Sequence, residues 1–321
     1  MLTYILGSDY HYLAVWGCVL FGFIITCAAI SLLKDKLPRD GGRKFAINGA
    51  KSIGKPRGAG IIFVLTWALT AVVFLKLSIE IIIYIVLVIA AMLTGYLDDA
   101  SEKPWGELKK GILDFIIAVV AAVTYLFYNP NTIYLAFIGK TVSIPYVLYG
   151  ILIVILIWAS INVTNCSDGV DGLCATLSII TLVTTYLLFN RFNANSEFKP
   201  YIIIMIVCLL AYLWFNASPS QLLMGDAGSR AIGLFIAFAF LKLQSPLLYL
   251  IAAIMLIIDG GLGLIKVTIM RVFKVKFMSK LRTPIHDHMR KNKEWSDTQV
   301  VIRFGIIQTI IACALLFFFA K

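Results

Sequence analysis

Four short clusters hold residues able to act on charged substrates, and each borders or interrupts an apolar run. The first is Gly95-Tyr96-Leu97-Asp98-Asp99. Its adjacent carboxylates repel each other unless a cation or a proton is shared. Aspartate oxygens suit Mg²⁺, a hard ion that often bridges to a substrate phosphate. The second runs from Asn162 through Asn165, Asp168 and Asp171 to Leu173, and its glycines let the backbone turn tightly against a ligand. Its spacing lacks the closing Glu of a calcium loop. The third runs from Asn216 through Leu223, Gly225 and Asp226 to Ser229. A new helix begins at Gly228 and Ser229, where free N–H groups can receive phosphate oxygens, and Asp226 is a natural cation ligand. The fourth is Thr283-Pro284-Ile285-His286-Asp287-His288, among Arg282, Arg290, Lys291 and Lys293. No cysteine lies near enough to complete a zinc site, and the basic neighbours favour a polyanion. Taken singly, these are a solvated helix end, a turn, an N-cap and a topology anchor. Taken together, they describe Mg²⁺-dependent phosphoryl transfer.

The elements that must position these clusters follow from composition. Of 321 residues, 60 % are hydrophobic and 14 % charged, against roughly 45–50 % and about 25 % in a soluble domain. Soluble, disordered, collagenous and coiled-coil classes are excluded. The expected fold is an all-α polytopic membrane protein, a single integral membrane domain over 1–321. A bilayer core needs about 20 apolar residues per helix. Ten runs qualify, near 11–33, 58–77, 79–97, 111–128, 145–161, 173–190, 200–215, 229–243, 247–270 and 300–319. A small β-hairpin is expected within 131–145, on the far side from the clusters. The six cysteines include no CxxC and read as unpaired fillers, and no basic segment precedes the first apolar run to suggest a cleaved signal peptide.

The net charge of +11 would suggest nucleic acid in a soluble protein, but here the placement of charge gives topology instead. With the N-terminus outside, 22 of the 28 Lys and Arg fall in the loops 34–57, 98–110, 162–172, 216–228 and 271–299 or at their helix ends. Both termini are therefore expected outside, with all four clusters on the cytoplasmic face. Fourteen of the 17 acidic residues share that face, which topology alone does not require. A cation transporter would instead carry its acids near the bilayer centre, and no internal repeat supports one.

At this point the residues resemble a known family. Asp98-Asp99, the N-x-x-N-x-x-D-G-x-D-G-L run from Asn162, and G-D-x-G-S from Gly225 are similar to the polyprenyl-phosphate N-acetylhexosamine-1-phosphate transferases. Within them, P-I-H-x-H, Trp295 and the V-I-R-F run from Val301 resemble the bacterial phospho-N-acetylmuramoyl-pentapeptide transferases, and Lys-Pro-Arg-Gly-Ala-Gly at 55–60 loosely matches their Pro/Gly segment. The resemblance implies ten membrane helices, a bacterial cytoplasmic-membrane location and a cytoplasmic active site. It also implies a reaction: UDP-N-acetylmuramoyl-pentapeptide and undecaprenyl phosphate give lipid I and UMP in peptidoglycan synthesis, with Mg²⁺ as cofactor. A sibling activity, UDP-GlcNAc:undecaprenyl-phosphate GlcNAc-1-phosphate transfer for teichoic acid or surface polysaccharide, is the alternative.

Carried over by motif, the resemblance makes Asp226 a metal ligand. Asp98 becomes the group that deprotonates the lipid phosphate, with Asp99 beside it, and both are candidate metal ligands. Lys109 matches a lysine near the phosphates. Asn162, Asn165, Asp168, Asp171, Asn216, Leu223 and Gly225 fall at substrate-binding positions, Asp168 resembling a nucleoside-binding carboxylate. His286 and His288 match the outer positions of a histidine triplet, whose middle position is Asp287 here, and Leu223 stands where the family often has an aromatic residue. Direct attack by the lipid phosphate is expected over a covalent intermediate. Membrane lipid is the expected surrounding, nucleic acid is not an expected partner, and monomer and homodimer both stay open.

Overall fold

The computed structural model describes residues 11–42, 52–101, 103, 105–192, 194, 197–275 and 278–320. The first ten residues and the loop cations Arg43, Lys44, Lys51 and Lys276 lie outside the described residues. Helix occupies every one of the ten apolar runs. In chain order these are α1 (His11–Leu33), α2 (Gly60–Phe74), α3 (Ile79–Asp99), α4 (Glu107–Tyr128), α5 (Tyr146–Cys166), α6 (Leu173–Arg191), α7 (Lys199–Asn216), α8 (Gly225–Lys242), a broken ninth element and a last long helix. The ninth comprises a 3₁₀ turn Pro246–Leu248, α9 (Tyr249–Ala252), α10 (Ile254–Leu256), a π turn Ile257–Gly261 and α11 (Leu262–Phe273). Then α12 (Ile285–Asn292) and α13 (Asp297–Phe318) follow. Between α4 and α5 lies the expected hairpin, β1 (Thr132–Leu135) antiparallel to β2 (Lys140–Ser143), with Gly139 at φ +68 closing its turn.

Among the described residues, seven helices (α1, α3 to α7 and α13) are long and apolar enough to cross a membrane, and the broken ninth element makes eight if it is one span. The fold is thus all-α and multi-pass, as composition predicts. Helix α2 is a shorter apolar helix of 15 residues, and α8 carries Asp226, Arg230 and Lys242 within its 18. The run read as one helix over 247–270 is instead bent by 69°. The bend falls at Ala253, between α9 and α10. Beyond it, in the π turn, the missing side chain of Gly260 lets the backbone sit against the Val163 carbonyl of α5.

Helix α8 is the axis of the bundle, buried from Gly225 to Leu241. Helix pairing in lipid is driven by close packing, so small residues set the contacts. A Cβ on Gly60 of α2 would collide with the Gly228 backbone, one on Gly95 of α3 with the Asp226 carbonyl, and one on Gly233 of α8 with Ser160 of α5. Above these contacts aromatic rings fill the core: Tyr84 stacks on Phe238 at 4.3 Å between centroids, and Trp67 meets Phe235 edge-on at 5.2 Å.

Candidate functional site

One end of this bundle gathers what the sequence scatters. Asp98 and Asp99 end α3, and the contact of Gly95 with Asp226 brings that end against the start of α8. Gly225 adopts φ +73, and a side chain there would strike the Asp99 carboxylate. The segment before α2 is docked by backbone bonds: Leu223 N–H donates to the Pro56 carbonyl at 2.8 Å, Ala59 N–H to Leu223 at 3.1 Å, and Gly60 N–H to Met224 at 3.1 Å. That pairing aims Arg57 into the cluster, where Nη2 lies 2.8 Å from Asp99 Oδ1 and 3.7 Å from Asp226 Oδ1. Burial works against the Arg57 charge, but the carboxylates of Asp99, Asp226 and Asp40 outweigh it and hold the guanidinium pKa above its ordinary value. From α4, Lys110 Nζ lies 2.5 Å from Asp98 Oδ2 and 3.0 Å from Asp226 Oδ2. The second Asp98 oxygen accepts from the Trp105 N–H at 2.6 Å, and Asp99 Oδ2 from the Ala227 N–H at 3.2 Å.

With Asp40 Oδ1 3.6 Å from Arg57 Nη1, four carboxylates therefore meet two cations. The Asp99 side chain is fully buried, and its Oδ1, though close to Arg57, lies off the line of any hydrogen bond. A buried acceptor left this way is costly unless a further cation completes it. No three His, Cys, Asp or Glu groups close into a cage among the described residues. Mg²⁺ needs no such cage, because one or two carboxylates, waters and substrate phosphates complete its octahedron. The donor set fits that ion.

Beside the carboxylates, sharing Arg57 and Gly225 as a border, opens a cavity of about 460 Å³. Asp168, Asp171, Asn216, Leu223, Gly225 and His286 of the predicted residues line it, with Lys55, Asp287 and Arg290. Its walls are braced. Asn216 accepts from the Gly172 N–H at 2.8 Å and donates to the Leu222 carbonyl at 2.8 Å, tying the second cluster to the third. Lys55 reaches Asp171 at 3.5 Å and the Ser220 hydroxyl at 2.8 Å. His286 is buried with Nδ1 2.8 Å from Asp259 of the π turn, and its backbone N–H donates to the same carboxylate at 2.7 Å. This partner fixes the ring, leaving Nε2 3.7 Å from Asp287 Oδ1. Arg290 bridges Asp287 at 2.6 Å, Asp297 at 3.1 Å and the Gly169 carbonyl at 3.2 Å.

Three expected residues stand apart. Lys109 lies over the Trp105 ring, 3.3 Å from its centroid, and its neighbour Lys110 occupies the cluster instead. Helix phase is the reason: the buried face of α4 passes through Asp114, Ala118 and Ala121, and Lys110 falls on it one turn earlier. His288 does not line the cavity; its Nδ1 accepts from the Arg282 N–H at 3.3 Å. Asn162 donates to the Trp158 carbonyl of its own helix at 2.8 Å, outside both cavity and carboxylate cluster. Asn165 sits between, donating to the Ser229 hydroxyl at 2.9 Å. Residues that the sequence reading did not place at the site are Arg57, Lys110 and Asp259, while Arg290 entered it only as one of the basic neighbours of the histidines. An acid within an apolar run, as Asp259 is, was a usable signal.

The chain is similar to proteins of known family. The sequence model of glycosyl transferase family 4 matches residues 81–244. The phospho-N-acetylmuramoyl-pentapeptide-transferase of Treponema pallidum (strain Nichols) is 37 % identical, over 95 % of this chain and 89 % of its own. Its counterpart from Clostridium acetobutylicum is 30 % identical over 84 % and 86 %, and that from Wolbachia pipientis 28 % over 90 % and 93 %.

Proposed function

The chain belongs to the phospho-N-acetylmuramoyl-pentapeptide-transferases of glycosyl transferase family 4, and on that premise we propose that it moves phospho-N-acetylmuramoyl-pentapeptide from its UDP conjugate to undecaprenyl phosphate, giving lipid I and UMP. It is a multi-pass bacterial membrane phosphoglycosyl transferase. The observation that carries the reading is the meeting of the α3, α4 and α8 charges beside a polar cavity, at one end of an apolar bundle. A lipid held among the helices and a soluble nucleotide sugar can meet only at such an interface. The excess of Lys and Arg in the flanking loops supports a cytoplasmic orientation for that end.

In this reading an oxygen of the lipid phosphate attacks the sugar-bearing phosphorus, the pyrophosphate P–O bond breaks, and UMP leaves with the electron pair. Asp98 accepts the proton of the lipid phosphate. Lys110 and Arg57 balance the negative charge that gathers at the reacting phosphates. Asp168 meets the nucleoside, while Lys55, His286 and Arg290 around the cavity hold the anionic sugar-peptide conjugate. Mg²⁺ would be held by Asp226 with Asp98 and Asp99, and when bound it neutralises the pyrophosphate.

The test is purified protein in detergent with undecaprenyl phosphate and either UDP-N-acetylmuramoyl-pentapeptide or UDP-GlcNAc, following UMP. Release with the muramoyl substrate, abolished by excess EDTA and restored by Mg²⁺ or Mn²⁺, is expected. Release with UDP-GlcNAc alone would assign the sibling activity, and full turnover in EDTA would remove the metal.

A further inference from the structure

One turn deeper along the same two helices lies an ion pair that the reaction does not use. Asp114 of α4 pairs with Arg230 of α8, and their side chains are 3 % and 2 % exposed. Asp114 stands four residues beyond Lys110, and Arg230 four residues beyond Asp226, so each pair shares a helix face about 6 Å apart. The signs alternate along each helix and across the gap: Lys110 faces Asp226 at 3.0 Å, and Asp114 faces Arg230. The four groups form a closed square of charge, with Lys110 also reaching Asp98.

Stability does not account for the deeper rung. A buried ion pair is often no better than well-packed apolar residues, and in a membrane bundle ionisable side chains are rare unless they serve a function. This rung is also poorly satisfied, since Arg230 Nε and Nη1 have no hydrogen-bond partner. What the rung does supply is a field. In a dry interior a charge one turn away acts strongly on its neighbour. Arg230 places a positive charge one turn from Asp226, and Asp114 places a negative charge one turn from Lys110.

We propose that Asp114 and Arg230 are positioning residues for the transfer step, their paired charges setting the field and the separation in which Lys110 and Asp226 stand one turn away. This rests on the transferase reading above. Removing the rung therefore lowers kcat while leaving the KM for the nucleotide sugar, which the cavity sets, nearly unchanged.

Two double variants test it, each free of the lone buried charge that would unfold a single one. Asp114→Asn with Arg230→Gln keeps shape and removes both charges. Asp114→Arg with Arg230→Asp restores an ion pair but sets an acid one turn from Asp226 and a base one turn from Lys110. In the assay with UDP-N-acetylmuramoyl-pentapeptide, the neutral variant is expected to lose kcat roughly tenfold, and the reversed variant roughly 10²-fold. Both should keep the KM for the UDP-sugar within about twofold, and Arg230→Lys should keep most of the turnover. A mere brace would be repaired by reversal, so wild-type kcat in the folded reversed variant overturns the proposal. Wild-type kcat in the neutral variant does the same, and so does failure of both doubles to fold, which makes the rung a fold determinant. An inactive wild-type protein would instead defeat the transferase reading itself.

Discussion

Helices α3 and α8 carry charge at both ends, and the two ends are built differently. At one, Lys242 of α8 meets Glu80 of α3 at 2.9 and 3.0 Å and the side-chain oxygen Oδ1 of Asn129 at 2.8 Å. Asn129 and the Tyr84 hydroxyl donate to the same carboxylate at 2.6 and 2.7 Å. One anion meets one cation, and every proton of the ammonium has an acceptor. At the other end, four carboxylates meet two cations, and a buried oxygen of Asp99 has no hydrogen bond. The first arrangement is closed and needs nothing more. The second carries surplus negative charge, which costs stability and is useful only if a cation and phosphates come and go.

Substitutions at the two ends should separate accordingly. Asp226→Asn should cut turnover by at least roughly 10²-fold with little change in Tm, as losses of preorganised charge commonly do. Its opposite is Glu80→Gln, which leaves Lys242 without its counter-charge. That variant should keep turnover within about twofold and lose about 1–3 kcal/mol of stability, read as a lower Tm in detergent. Equal loss of activity at both ends would erase the distinction.

A finer cut lies between adjacent lysines. Lys110→Met should lower kcat by about 10- to 100-fold, whereas Lys109→Met, which removes only a cation from the Trp105 ring, should stay near wild type. The reverse ranking, measured by UMP release, would mean that α4 turns on its axis when substrate binds.

The smallest expected effect concerns the histidines. His286→Ala should raise the KM for the UDP-sugar or lower kcat by about tenfold, with the lipid KM less affected. His288→Ala, which loses only a turn contact with Arg282, should remain within about twofold of wild type. A His288 effect as large as that of His286 would place both rings at the substrate.

These contrasts also show what a sequence makes visible. Apolar runs of membrane-spanning length locate helices by themselves, and each of the ten runs is helical. The hairpin also follows from its β-prone runs about Gly139. The motif residues Asp98, Asp99, Asp168 and Asp226 fall at the site because each sits at a helix end where the chain turns. What stayed hidden depends on phase and on distance. Choosing Lys110 over Lys109 requires the rotation of α4, which Asp114, Ala118 and Ala121 fix only once read as one face. The pairing of His286 with Asp259 joins residues 27 apart through a π turn, and no residue pattern announces that turn. The 69° bend of the ninth element was hidden for the same reason, because hydropathy counts residues and is blind to direction.

The contacts of Gly60, Gly95 and Gly233 have one more consequence. Each is a place where a helix backbone touches its neighbour with no side chain between them. Alanine at 60 would wedge α2 away from α8, at 95 would wedge α3, and at 233 would wedge α5. The residues carried off would be Arg57, Asp99 and Asn165, none of which had been altered. The spacing of the charges is thus gauged by absent methyl groups, and a single carbon atom added between two helix backbones is enough to throw the instrument out of calibration.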